Sequence, residues 1–261
     1  ITTGNYNVAI GKSALSTEDG HGRNIAIGWQ ALKDLNAGAD AYNVAIGHDA
    51  GKFVSTGTQN VLVGGTTGGA LTDGNNNVAI GHAALSSETR GDRNVAVGNF
   101  ALNAQNNTSD TDSYNTAVGH NAGLSVSTGI RNVIIGGLAG DAMNTGHSSV
   151  AIGYEALGSA TIANHNVAIG IDAMNVNVAA DRNVAIGSEA LKNMTAASTA
   201  DHYNVAVGYN AGKAVTSGAN NVLIGGLAGD ALNTGSHNIA IGREALSTET
   251  AHGYNIAIGG Y

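Results

Sequence analysis

The chain of 261 residues contains no cysteine and no proline. Without cysteine there is no disulfide framework to hold it together. Aromatic residues make up only 4% and charged residues only 11%. The few charges sum to a formal -8, which argues against a nucleic-acid binder, since such a protein should carry a basic stripe. No apolar run approaches the ~18 residues of a membrane span. No signal peptide is visible, and residue 1 is Ile rather than Met, which points to a processed product or a piece of something longer. What remains is 39 glycines and 43% hydrophobic residues, too apolar for a flexible linker.

The dominant feature is a repeat. The pentapeptide NVAIG and its near-copies begin at Asn7, Asn24, Asn43, Asn60, Asn77, Asn94, Asn115, Asn132, Ser149, Asn166, Asn183, Asn204, Asn221, Asn238 and Asn255. Most steps are 17 residues; one is 19 and two are 21. A fixed step with small insertions is the mark of a solenoid whose coils contact only their neighbours. With the leading residue as position 0, +1 is Val or Ile in 14 of 15 copies, Thr116 being the exception. Position +3 is always Ile or Val, and +4 is always Gly. Position +7 is Ala in 13 of 14 copies, with Thr67 the exception.

These residues predict an all-β parallel β-solenoid, a β-roll of about fifteen coils of 17 residues, as one repeat domain over 1–261. Parallel strands stacked about 4.8 Å apart would make a rod of about 70 Å. Val and Ile two apart share one face of a short strand. They are expected to fill the inside of the coil, with Gly at +4 ending the strand. Asn at 0 fits an amide ladder or a turn residue capping the strand. Position +2 is Ala in 12 copies and Leu62, Ile134 or Leu223 in the others. If +2 points outward, both faces of the strand are apolar and both should be buried. The expectation is a homo-oligomer with the +2 stripe packed against identical chains.

A longer rhythm overlies the first. Eight coils carry Leu or Met at +8, whereas six carry Gly there, at Gly51, Gly68, Gly123, Gly140, Gly212 and Gly229. Those six have an apolar residue at +11 instead. The Gly coils come in pairs, each after a lengthened coil. The insertions, at 36–42, 103–114 and 192–203, are polar and end at Tyr42, Tyr114 and Tyr203. Loops on a rigid scaffold are where binding residues usually sit, though duplication of a large block would leave the same loops.

Chemistry-bearing residues are sparse. Glu155, Asp172 and Glu189 stand at +6 in three successive coils. Such a ladder could hold Ca²⁺ by carboxylate oxygens, or serve as a solvated acidic edge. His48, His82 and His120 share +5 but in alternate coils, so one chain cannot bring them to one ion. The two GGLAGDA stretches lack the nine-residue iteration of calcium-binding repeats. No Walker loop, H-E-x-x-H or G-x-S-x-G occurs. Trp29, Tyr42, Tyr114 and Tyr203 are the candidate recognition residues, because an exposed aromatic offers an apolar face with a polar handle to a sugar. Catalytic and cofactor residues are not expected.

The unit N-[VI]-A-[IV]-G-x-x-A-L resembles two sources. One is the head of trimeric autotransporter adhesins, with S-V-A-I-G repeats, matched at Ser149–Gly153. The other is the shaft repeat of phage and prophage tail-fibre proteins, N-T-A-[LVI]-G-x-x-A, matched at Asn115–Gly123. The resemblance covers essentially the whole chain, although each coil has a longer loop than the adhesin head. It implies a left-handed β-roll of three chains side by side, outside the cell, on a virion tail fibre or a bacterial surface. Nothing matches the stalk, anchor or chaperone domain of those proteins, and their binding residues are not carried by the repeat.

The expected function is therefore a structural fibre or adhesin module, a rigid homotrimeric rod presenting a face to a host or surface receptor, glycan or protein. It inserts in no membrane and catalyses no reaction. One alternative is a self-assembling extracellular filament. Another is a polysaccharide-degrading enzyme on a β-helix, which would need acids and bases clustered in a groove.

Overall fold

The computed structural model describes residues 4–18, 20–195 and 200–260. They form two compact units, Ile1–Arg131 and Asn132–Tyr261. Among the described residues there is no helix, and so none long and apolar enough to cross a membrane.

The first unit contains β1 (Val8–Ile10), β2 (Ile25–Ile27), β3 (Val44–Ile46), β4 (Val61–Val63), β5 (Val78–Ile80), β6 (Gly91–Asp92), β7 (Val95–Val97), β8 (Thr111–Asp112) and β9 (Thr116–Val118). Strands β1, β2, β3, β4, β5, β7 and β9 pair in that order, all parallel and in register, Val on Val or Ile and Ala on Ala or Leu62. Only β9 departs, with Thr116 opposite Val95. The short β6 and β8 form a separate parallel pair.

The second unit contains β10 (Val133–Ile135), β11 (Val150–Ile152), β12 (Val167–Ile169), β13 (Val184–Ile186), β14 (Val205–Val207), β15 (Val222–Ile224), β16 (Ile239–Ile241) and β17 (Ile256–Ile258). Each pairs with the next, parallel and in the same register. The fold is thus a parallel β-solenoid with one three-residue strand per coil of about 17 residues.

The structure reverses the expected inside and outside of the strand. Position +2 faces the coil interior. Ala26, Ala45, Leu62, Ala79, Ala96 and Ala117 are 0% exposed, as are Ile134, Ala151, Ala168, Ala185, Ala206, Leu223 and Ala240. The Val and Ile at +1 and +3 point outward and stay half-exposed or exposed. The reason is the narrowness of the coil. The buried +7 alanine and the buried side chain at +8 or +11 share the interior with +2, and wherever +8 is Leu or Met, +2 is Ala.

Where the +2 residue is large, the space has been cleared elsewhere. Leu62 shares a coil with Gly68, and Leu223 shares one with Gly229. A β-carbon on Gly51 would lie 2.6 Å from Leu62 Cδ1, and one on Gly68 2.9 Å from Leu62 Cδ2. Leu223 fills the space over Gly212 and Gly229 in the same way, at 2.6 and 2.8 Å. One leucine therefore reaches into two coils, which explains the pairing of Gly51 with Gly68 and of Gly212 with Gly229.

The turns depend on unusual backbone. Gly at +4 has φ between +126° and +143°, a region closed to other residues. Among the described residues positions -1 and +6 are always left-handed, with φ of +50° to +64°, whatever the residue. Position +8 is left-handed as well, even where it is Leu15, Leu32 or Met174.

The leading Asn serves as both ladder and closure. Asn60 Oδ1 accepts the Asn77 backbone N–H at 3.0 Å, and Asn60 Nδ2 donates to the Gly74 carbonyl at 2.8 Å, closing its own coil. Asn77, Asn204 and Asn221 repeat the pattern, all buried. A buried amide so placed satisfies backbone groups that would otherwise be stranded away from water.

Candidate functional sites on the coil surface

The outward side chains form columns, because each position recurs one rung higher in the next coil. The +1 and +3 columns make two adjacent rows of Val and Ile along each unit. The -1 and +5 columns border these rows at the two ends of the strand. Trp29 lies in the +5 column, and Tyr42, Tyr114 and Tyr203 lie in the -1 column. The structure thus separates the candidate recognition residues into two sets, all of them exposed.

Each of the three tyrosines belongs to a triad that the sequence reading missed. Arg23 Nε donates to Asp40 Oδ2 at 2.6 Å, and its guanidinium carbon sits 5.5 Å from the Tyr42 ring centre and 5.3 Å from that of Tyr6. Arg93 pairs with Asp112, and its guanidinium lies 5.6 Å from the Tyr114 ring centre. Arg182 pairs with Asp201, whose Oδ2 accepts the Tyr203 hydroxyl at 2.9 Å. The signal is present in the sequence: Arg-Asn opens each lengthened coil, and Asp-x-Tyr closes it. The Tyr203 hydroxyl, followed by Arg182, draws the Asp201 carboxyl below its usual range, and Asp40 raises the Arg23 guanidinium. All these groups are exposed to water, so the ion pairs add little stability. They place an arginine–aspartate pair beside each tyrosine.

The insertion at 103–114 is bonded to the coil. In the first unit, β8 pairs with β6. Inside the coil Glu88, 0% exposed, accepts hydrogen bonds at Oε1 from the backbone N–H groups of Thr89, Arg90, Gly91 and Asn107. Its Oε2 accepts from Gln105 Nε2 at 2.9 Å and Asn107 Nδ2 at 3.0 Å. A buried carboxylate is tolerable only when so fully bonded. In the second unit an Asp181–Asp201 bridge takes the place of the β6–β8 pair. Residues 196–199 of that insertion lie outside the described residues.

The acidic column is neutralised in part by lysine. Lys192 Nζ lies 2.8 Å from Asp172 Oδ2 and 3.8 Å from Glu189 Oε1, and Lys213 pairs with Glu189. Glu155 Oε2 accepts from Asn175 Nδ2 at 3.2 Å. Glu155 and Asp141 line a cleft of about 380 Å³ with Ser159 and Asn175, and burial, with Glu155 adding, pushes the Asp141 carboxyl up. Among the described residues no three His, Asp or Glu side chains come together as a metal site. Two of the three histidines at +5 stand against aromatics: His48 against Trp29, with ring centres 4.6 Å apart, and His82 against Phe100 at 5.3 Å.

The strongest surface feature remains the pair of aliphatic rows. A parallel sheet is ordinarily covered on both faces, and here the interior covers one. Comparison with family models, with curated proteins and with solved structures finds no match to this chain.

Proposed function

We propose that the chain is a structural fibre or adhesin module: a rigid, left-handed β-roll assembled from three copies, displayed outside the cell on a virion tail fibre or a bacterial surface. The observation that carries the reading is the outward Val/Ile face. Contiguous exposed apolar surface on this scale marks an interaction site. The face repeats at the coil step, and the surface best matched to such a period is another copy of the same face. The resemblance to trimeric fibre repeats supplies the number three. Mechanism is then mechanical and multivalent, as identical coils on three chains repeat weak contacts with a receptor. Recognition falls to the aperiodic residues on the exposed columns, Trp29 at +5 and Tyr42, Tyr114 and Tyr203 at -1.

Electron microscopy of the isolated chain tests this. Discrete rods of one length are expected. Open-ended filaments would overturn the reading in favour of a self-assembling filament subunit.

A further inference from the structure

The first three coils carry a patch built around one aromatic residue. Trp29 is the single tryptophan of the chain. The Lys12 carbonyl accepts the Gln30 N–H at 3.0 Å, and the Trp29 carbonyl accepts the Asp49 N–H at 2.9 Å. Lys12, Trp29 and His48 are therefore successive rungs of the +5 column. The His48 ring lies against the indole at 31°. Lys52 brings Nζ to 6.0 Å from the indole centre and 5.1 Å from the Phe53 ring centre. Trp29 is 40% exposed and Phe53 47%.

The charges make the patch distinctive. Lys33, Lys192 and Lys213 each pair with a carboxylate, as do five arginines. Among the described residues neither Lys12 nor Lys52 has such a partner. Two acids stand close by, each with a partner of its own: Asp49 faces His48 at 3.4 Å, and Asp34, whose backbone N–H donates to the Lys52 carbonyl at 3.1 Å, pairs with Lys33 at 3.2 Å. The Lys52 ammonium, free of a carboxylate, thus lies against two exposed aromatic rings, with Lys12 one rung from Trp29 in the same column, on a chain of net charge -8.

We propose that Lys12, Trp29, His48, Lys52 and Phe53 form a binding site for an anionic saccharide, a sugar ring bearing a carboxylate or a sulfate. A pyranose has an apolar C–H face that suits an indole or phenyl ring. Its anionic group suits an ammonium that no protein carboxylate occupies. A neutral sugar would leave the lysines without purpose, and a bare anion would leave the rings without one. The inference rests on reading the chain as a receptor-presenting module, and not on its oligomeric state.

The lone tryptophan makes the test direct, since all indole emission comes from the patch. The full chain is titrated at low salt with oligogalacturonate, a sulfated heparin oligosaccharide, neutral maltohexaose and oligoglutamate. A saturable change in Trp29 emission is expected with at least one anionic saccharide, and which one responds separates carboxylate from sulfate. Lys52→Gln should weaken that binding roughly fivefold, the scale of one exposed charge contact. Trp29→Ala, followed by calorimetry, should abolish it. Equal binding of maltohexaose, equal binding of oligoglutamate, indifference to Lys52→Gln, or no response to any saccharide would each overturn the site. Light scattering on the same samples keeps the two proposals apart. A trimer that binds no saccharide sinks this inference alone, and a monomer that binds one sinks the assembly alone.

Discussion

Leu62 Cδ2 occupies the space over Gly68, 2.9 Å from where a β-carbon on that glycine would lie. The next coil solves the same problem the other way round, with Ala79 at +2 and Leu85 at +8, both 0% exposed. The two positions share one volume. Leu62→Ala alone should cost about 2–5 kcal/mol by leaving a cavity. Gly68→Leu alone should overpack the coil by about 1–3 kcal/mol. The double variant matches the neighbouring coil at these two positions and should recover part of the loss, with a coupling of about 0.5–3 kcal/mol. Denaturant unfolding of the four proteins measures it, and simple additivity would refute the shared volume.

Gly64 and Gly65 are neighbours with opposite tolerance. Gly64 has φ +138°, and a β-carbon there would meet the Gly81 carbonyl oxygen at 2.5 Å. A β-carbon on Gly65 meets nothing nearer than His82 Cδ2 at 3.6 Å. Gly64→Ala should destabilise by more than about 3 kcal/mol, combining strain with a backbone clash. Gly65→Ala should stay within about 0.5 kcal/mol of the parent. Thermal unfolding of the pair decides it.

The Asn ladder has one weak rung. Ser149 takes the place of the leading Asn, and its hydroxyl accepts the Asn166 N–H at 3.2 Å. It carries no amide to reach the carbonyl of Ala163, the residue that corresponds to Gly91 in the coil of Asn77. Ser149→Asn should therefore stabilise by about 0.5–1.5 kcal/mol. Asn77→Ala should do the reverse, leaving the Asn94 N–H and the Gly91 carbonyl unpaired at about 1–3 kcal/mol each. Equilibrium unfolding should place the two variants on opposite sides of the parent.

Glu249 gives the chain an acid-sensitive point. The backbone N–H groups of His252 and Ala251, then the His252 ring and the Thr250 N–H, lower its carboxyl from 4.5 to about 2. A carboxyl lowered in the folded state stabilises that state above its ordinary value, about 4.5. The stability is lost as pH falls from there toward about 2. NMR titration of the Glu249 side chain should find the lowered value, and Glu249→Gln should flatten the stability profile in that window. A carboxyl titrating near 4.5 would contradict the assignment.

The strands, their parallel stacking and the role of Gly at +4 were legible from the repeat alone. Which face of the strand turns inward was not. Alternation places Val and Ile together, but when both faces are apolar it does not say which is inside. Bulk suggested the branched residues, and the coil proved too narrow for them. The deciding signal was in the sequence as a correlation of volumes, with Leu62 beside Gly68, Ile134 beside Gly140 and Leu223 beside Gly229. The tyrosines of the insertions were found, but their arginine and aspartate partners were not, because those pairs form between coils. Glu88 was missed for another reason: an acid inside a coil reads as a surface residue until its hydrogen-bond donors are seen.

The reversal of the strand also relocates the predicted subunit contact. The Ala stripe belongs to the coil interior, and the face left for partner chains is the Val/Ile pair of rows. Light scattering on the purified chain tests this most directly. A stable assembly is predicted at three times the chain mass of 25.9 kDa, reduced toward a single chain by Ile80→Glu and Ile186→Glu on the outward rows. A monomeric parent chain would contradict the account.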